Sequence, residues 1–213
     1  FLDLGSEVHI VELAERLIGT EDPLVSSTIE AALRVRGAHT HTSASIERFD
    51  EALQTAHLTN GDEIVGVDKV LIGIGRHPKL AGLGLEDAGV DLARNGIIAD
   101  DWGRTSVDGV YAVGDVTGNT ATTHGANSIA RRTIRAIALP LPKIGNARAL
   151  PSAVYCRPQI ASVGLTVTEL DALPETGRIR LVKHLKDIDR GLTDDVEHGF
   201  VAVDAERFTG KIL

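Results

Sequence analysis

Residues 104–115 read Arg104-Thr-Ser-Val-Asp-Gly-Val-Tyr-Ala-Val-Gly-Asp115. The apolar run Val110 to Val113 predicts a buried strand, and Gly114-Asp115 ends it abruptly. Glycine at a strand end removes the Cβ that would block a ligand lying across it. The Asp115 carboxylate can then accept a hydrogen bond from a sugar or ribitol hydroxyl. A Gly-Asp step is also a common strand-to-turn junction, and the dipeptide alone does not choose between the two.

Downstream, the pattern predicts a helix of about fifteen residues opening near Thr122 or Thr123. Its first turn, Thr122-Thr123-His124, carries no acid, so free backbone N–H groups and the helix dipole suit an anion such as the N1–C2=O edge of a reduced flavin. Thr122 or Thr123 serves equally as a plain N-cap. His124 reads as a packed or solvent-facing side chain, with no proton-transfer role assigned. Pro140 and Pro142 stop the helix and begin a linker running to about Pro151. Beyond it the texture becomes that of a separate α+β domain: strands at 152–156, 160–164, 178–185 and 198–204, and a helix near 166–173 opened by a Thr166/Glu169 capping box.

Upstream, Lys69-Val-Leu-Ile-Gly-Ile-Gly75 predicts a central-type strand running into Arg76-His77-Pro78, followed by a loop-dominated crossing over 79–109. Residues 7–13 predict a short buried strand. Asp22-Pro23 opens a helix, with Asp as N-cap and Pro at the first helical position, and Gly37 stops it. A strand or two fill 38–49, and 53–67 form a hairpin closed by Asn60-Gly61. Glu12 ends the first strand, where a dinucleotide-binding unit places its ribose-binding acid. The Gly-rich phosphate loop belongs about 20 residues before such an acid. Only eleven residues precede Glu12, so that loop is expected upstream of residue 1; taken alone, Glu12 reads as a solvated strand-end glutamate.

Composition narrows the function classes. The 213 residues carry a net charge of −8, which argues against nucleic acid or an anionic membrane as partner. No apolar run has the length of a membrane span and no signal pattern opens the chain. The single cysteine, Cys156, excludes an intrachain disulfide and favours a cytoplasmic setting. His39 and His41 share a strand face, but no third ligand has an obvious spacing, so no metal site is expected. Methionine is absent, and both ends are read as cuts within a longer chain.

The order of these motifs is more specific than any one of them. Gly5-Ser-Glu-Val-His-Ile-Val-Glu12, then Val70-Leu-Ile-Gly-Ile-Gly-Arg-His-Pro78, then 104–115, then Pro158-Gln-Ile-Ala-Ser-Val-Gly-Leu-Thr166 resembles the pyridine nucleotide-disulfide oxidoreductases, over essentially the whole chain and with a texture nearest the lipoamide dehydrogenase and mercuric reductase-like branch. The resemblance implies an α/β fold: a partial NAD(H)-binding Rossmann-like domain over 1–75, the C-terminal segment of an FAD-binding domain over 76–147, and the start of an α+β dimerisation domain over 148–213. It implies FAD and NAD as cofactors, with NADH favoured over NADPH, and a homodimer. Hydride would pass from NAD(P)H to FAD and on to a disulfide or another acceptor. Alternatives are a relative reducing quinone or oxygen without a redox disulfide, and a non-catalytic flavin- or nucleotide-binding scaffold. By the same resemblance Glu12 binds the NAD ribose, Gly75 and Arg76 lie where the chain passes from the NAD domain back to the FAD domain, with Gly75 near the nicotinamide cofactor, Gly114 and Asp115 hold the FAD ribitol, and Ala121, Thr122, Thr123 and His124 line the flavin. No catalytic group is expected within the chain: the paired redox cysteines and the His-Glu acid–base pair would lie outside it.

Overall fold

A computed structural model describes residues 1–50, 54–118, 122–139, 150–196 and 198–213. Two compact units account for them: residues 1–71 with 153–213, and residues 72–152.

The first unit begins with β1 (Val8–Val11), α1 (Pro23–Val35) and β2 (Ala38–His41). The start of α1 is where Asp22-Pro23 predicts it. The Asp22 carboxylate accepts from the Leu24 amide at 2.7 Å, and Pro23 has no N–H to leave unsatisfied. The helix ends at the Arg36 cap, before Gly37 in the left-handed region at φ 87°. β1 and β2 pair in parallel, Val8 with Ala38 through Val11 with His41. One face of this ribbon turns to α1, where Ala38 is buried and Thr40 Oγ1 donates to Glu30 Oε1 at 3.1 Å. On the other face Val11 packs against the cluster Ala44, Ala56, Leu58 and Ile64.

That cluster belongs to a meander of β3 (Ile46–Phe49), β4 (Thr55–Leu58) and β5 (Glu63–Val65), all antiparallel. The β4–β5 turn contains Asn60-Gly61 but is not a two-residue loop. The Leu58 amide reaches the Asp62 carbonyl at 2.8 Å, leaving a three-residue loop whose last member, Gly61, takes φ 90°. A side chain there would be strained, which is why the position favours glycine.

The same unit contains β8 (Ser152–Val154, its first residue shared with the second unit) and β9 (Ile160–Ser162), which pair, and α3 (Val167–Asp171). The capping box at the start of α3 is complete: Thr166 Oγ1 accepts from the Glu169 amide, and the Glu169 carboxylate accepts from the Thr166 amide at 2.9 Å. Then β10 (Arg178–His184) and β11 (Phe200–Glu206) run antiparallel in full register around α4 (Asp189–Thr193).

The second unit carries a small hairpin, β6 (Leu92–Ala93) with β7 (Gly96–Ile97), and the sixteen-residue helix α2 (Thr123–Ala138). Val90, Ile97 and Ala112 form its core, lined by Leu80, Leu85 and Val116. Thr133 is buried on α2 and its hydroxyl lies 2.8 Å from the Trp102 carbonyl, tying helix to loop.

Two predicted strands do not form. Lys69–Gly75 forms no regular element and pairs with no strand among the described residues, and Ile74 stands 94% exposed. Val110–Val113 is reduced to one bridge, Arg104 with Tyr111, flanked by the Ala112 amide on the Gly103 carbonyl at 2.8 Å. Both runs are apolar enough for a sheet interior. A strand, however, is defined by the neighbour that takes its N–H and C=O groups, and an apolar run does not supply one. The segment expected to link domains after Pro140 lies largely outside the described residues.

Candidate functional site

The sequence singles out nine residues, and the structure distributes them over both units. Glu12 follows β1 directly. Its backbone continues the ladder, the amide donating to the His41 carbonyl at 2.9 Å and the carbonyl accepting from Ala44 at 3.1 Å. Its Oε1 accepts from the Ala14 amide at 2.9 Å, so the chain's turn away from the sheet orients the half-buried carboxylate. Among the described residues nothing bonds its second oxygen, and that lone pair is available to a hydroxyl donor.

In the second unit, Gly75 adopts φ 119° in open surroundings, and Arg76 follows it. The Arg76 Nη1 lies 3.5 Å from Asp115 Oδ2. Both side chains are largely exposed, so the pairing is electrostatically soft and readily exchanged for another partner.

Gly114 opens a 3-10 turn, Gly114–Thr117, rather than ending a strand. It is buried at φ 80°, and a Cβ built on it would meet the Cβ of Ala126 at 3.2 Å. Glycine here therefore admits the first turns of α2, because any side chain would press on Ala126. The buried Thr117 hydroxyl donates back to the Gly114 carbonyl at 2.9 Å and closes the turn.

Thr122 is the N-cap of α2, accepting from the Gly125 amide at 3.3 Å. No acid lies in the first turn, and no described residue accepts from the Thr123 or His124 amides. The exposed His124 uses its Nε2 on the Pro151 carbonyl. Ala121 lies outside the described residues. The structure thus brings together Arg76 with Asp115, and Gly114 with the start of α2, while Glu12 belongs to the other unit.

One grouping escaped the sequence reading. His39 and His41 do share a face, but the close group sets His39 with residues in and just before β1: Glu7, His9 and His39 bring their donor atoms within 4.8 Å of one another. The signal was the alternation Glu7, His9 on one strand and His39, His41 on the next, which becomes a cluster only once the two strands are in register. Burial first, and then the neighbouring His9, push the His41 imidazole below its ordinary pKa.

The model of the pyridine nucleotide-disulphide oxidoreductase family matches residues 1–130. Across its whole length the chain is 30% identical to a dihydrolipoyl dehydrogenase of Rhizobium etli, covering 45% of that protein. It is 31% identical to one of Zymomonas mobilis, covering 47%. Among solved structures it matches LpdA of Mycobacterium tuberculosis at 27% identity with a TM-score of 0.86, over all of this chain and 46% of that one. The chain thus spans about half the length of the relatives it matches. No helix among the described residues is long and apolar enough to cross a membrane. With more than half of its residues inside the family model and a shared α/β fold along its full length, the chain belongs to the pyridine nucleotide-disulphide oxidoreductase family.

Proposed function

We propose that the chain supplies nicotinamide- and flavin-holding parts of an FAD-dependent oxidoreductase that passes hydride from NADH to the flavin and on to a disulfide or another acceptor. On this reading residues 1–75 belong to the NAD(H)-binding domain, 76–147 to the FAD-binding domain and 148–213 to the interface of a homodimer, in a cytoplasmic setting.

The observation that carries it is the junction of Gly114-Asp115 with the start of α2. The close approach of Gly114 to Ala126 joins the turn that carries the exposed Asp115 carboxylate to a helix whose first turn has no acid and whose first amides have no described acceptor. This donor set fits a ligand with both polyol hydroxyls and an anionic edge. Asp115 would accept from a ribitol hydroxyl, exchanging its exposed pairing with Arg76 for a shorter bond. The Thr123 and His124 amides would donate to the anionic edge, aided by the positive end of the helix dipole. Glu12, held by the Ala14 amide, would accept from the adenosine ribose of the nicotinamide cofactor. The bound flavin itself supplies the two-electron chemistry, and the residues of this chain orient it.

The test is FAD retention in the flavin-loaded protein. Asp115→Ala is expected to weaken FAD binding by on the order of 1–3 kcal/mol, the cost of a ligand donor left without its acceptor. A mutant that holds stoichiometric FAD as tightly as wild type would remove Asp115 from the site. Tight FAD without NADH oxidation would favour a binding scaffold over an enzyme.

A further inference from the structure

On the face of the β1–β2 ribbon turned away from α1, parallel pairing sets His9 directly beside His39, with His41 opposite Val11. Neighbouring strands lie about 4.8 Å apart, so side chains paired across them must stack or diverge. These stack: the His9 and His39 ring centroids are 4.6 Å apart with their planes 18° from parallel. Glu7, two residues before His9 on the same face, reaches both rings. Its Oε1 is 3.3 Å from His9 Nε2 and 3.6 Å from His39 Nε2.

We propose that Glu7, His9 and His39 form a surface site for a borderline divalent metal ion of the Zn²⁺ class, with the fourth position open to water. A tetrahedral ion with bonds of about 2.0–2.1 Å holds its donors about 3.3–3.5 Å apart. The two Glu–His edges, 3.3 and 3.6 Å, are at or close to that length, and all three donor atoms lie within 4.8 Å of one another. A small turn of the His39 ring, whose side chain is 55% exposed, closes the remaining edge. Two imidazoles and one carboxylate suit zinc rather than calcium or magnesium, which take oxygen ligands.

The neighbouring hydrogen bond is compatible with the required tautomer. His9 Nδ1 lies 3.1 Å from His41 Nε2. For His9 to offer its Nε2 lone pair to a metal, its Nδ1 must carry the proton and donate it to His41. His41 then acts as the orienting partner that ligating histidines usually have, fixing ring position as well as tautomer. The rival arrangement needs no ion: the Glu7 carboxylate accepts N–H bonds from both rings. The two differ in what zinc does.

A bound ion would clamp β1 to β2 at the end of the ribbon remote from Glu12. The site is independent of the flavin reading, since none of its residues takes part in that assignment, and either can fail without the other.

Equilibrium dialysis of the full-length protein against ZnCl₂ tests it, with metal counted per chain. Zinc bound elsewhere is common to all variants and cancels in the comparison. Wild type is expected to bind one equivalent more than His9→Ala and than His39→Ala, with far-ultraviolet circular dichroism showing that each variant is folded. Glu7→Gln should weaken that equivalent at least tenfold. His184→Ala, which changes an exposed histidine outside the cluster, should bind as wild type does. Equal stoichiometry in wild type and His39→Ala overturns the proposal, as does a His184→Ala loss equal to that of His39→Ala. Should either alanine variant misfold, Glu7→Gln alone decides, because it keeps the size of an exposed side chain and removes only the ligand charge.

Discussion

Arg76 and Asp115 are ion-paired within the second unit, Nη1 to Oδ2 at 3.5 Å, although one follows a segment that joins no strand among the described residues and the other lies in a 3-10 turn. Arg76 belongs to the predicted crossing between domains and Asp115 to the predicted ribitol site, and their contact joins the segment after Gly75 to the Gly114 turn. The length of the contact and the exposure of both partners limit what it contributes to stability. The pair sets an acceptor and a cation at one place on the surface.

Arg76→Ala should therefore leave the unfolding free energy within about 0.5 kcal/mol of wild type, as expected for an exposed pair. Urea denaturation measures this. A loss above about 2 kcal/mol would mean that Arg76 holds the fold together and does not act chiefly at the surface.

Gly114→Ala should be far more costly. The backbone sits at φ 80°, and the new methyl group would press on Ala126 at 3.2 Å, so conformational strain and crowding of α2 add. We expect a loss of about 1–3 kcal/mol. Gly75→Ala has φ 119° but nothing within 4 Å of the added carbon, so it pays only the backbone part. Parallel denaturant titrations should rank Gly114→Ala as the more damaging, and the reverse order would contradict this packing account.

On the nicotinamide side, wild-type enzyme should favour NADH over NADPH by at least tenfold in kcat/KM, about 1.4 kcal/mol. On the proposed reading the half-buried Glu12 carboxylate would accept from ribose hydroxyls and would repel a 2′-phosphate. Glu12→Ala should narrow the ratio mainly by raising the KM for NADH. Steady-state kinetics with both cofactors would remove Glu12 from the site if the mutant kept the wild-type ratio.

Cys156 should react slowly. Burial pushes its thiol pKa up, and Sγ lies 3.0 Å from the Pro158 carbonyl, an acceptor that favours the protonated form. Iodoacetamide at about pH 8 should alkylate the folded protein at least roughly tenfold more slowly than the denatured chain, because the thiolate is the nucleophile. The folded state holds this proton more tightly than the unfolded state does. The thiol's contribution to stability is therefore fully present below the unfolded pKa and is lost as pH rises through the folded one. A folded-state rate equal to the denatured rate would show that the thiol is not shielded.

The amino-acid sequence by itself determined the features whose causes are local. Asp22-Pro23 sets the start of α1, Thr166 with Glu169 the start of α3, and Thr122 the start of α2, because a cap and the amide it satisfies lie within three residues of each other. The order of the motifs was likewise enough to place the chain in its family. Tertiary structure decided whatever depended on a distant partner. Val110–Val113 and Lys69–Gly75 look alike as apolar runs, yet among the described residues one keeps a single bridge and the other none, since strand pairing is settled by the neighbour. Asn60-Gly61 was visible, but the three-residue loop came from the Leu58–Asp62 pairing. The cluster of Glu7, His9 and His39 arises only when β1 and β2 come into parallel register, for side chains alternate along a strand and a slip of one residue would turn His39 to the opposite face.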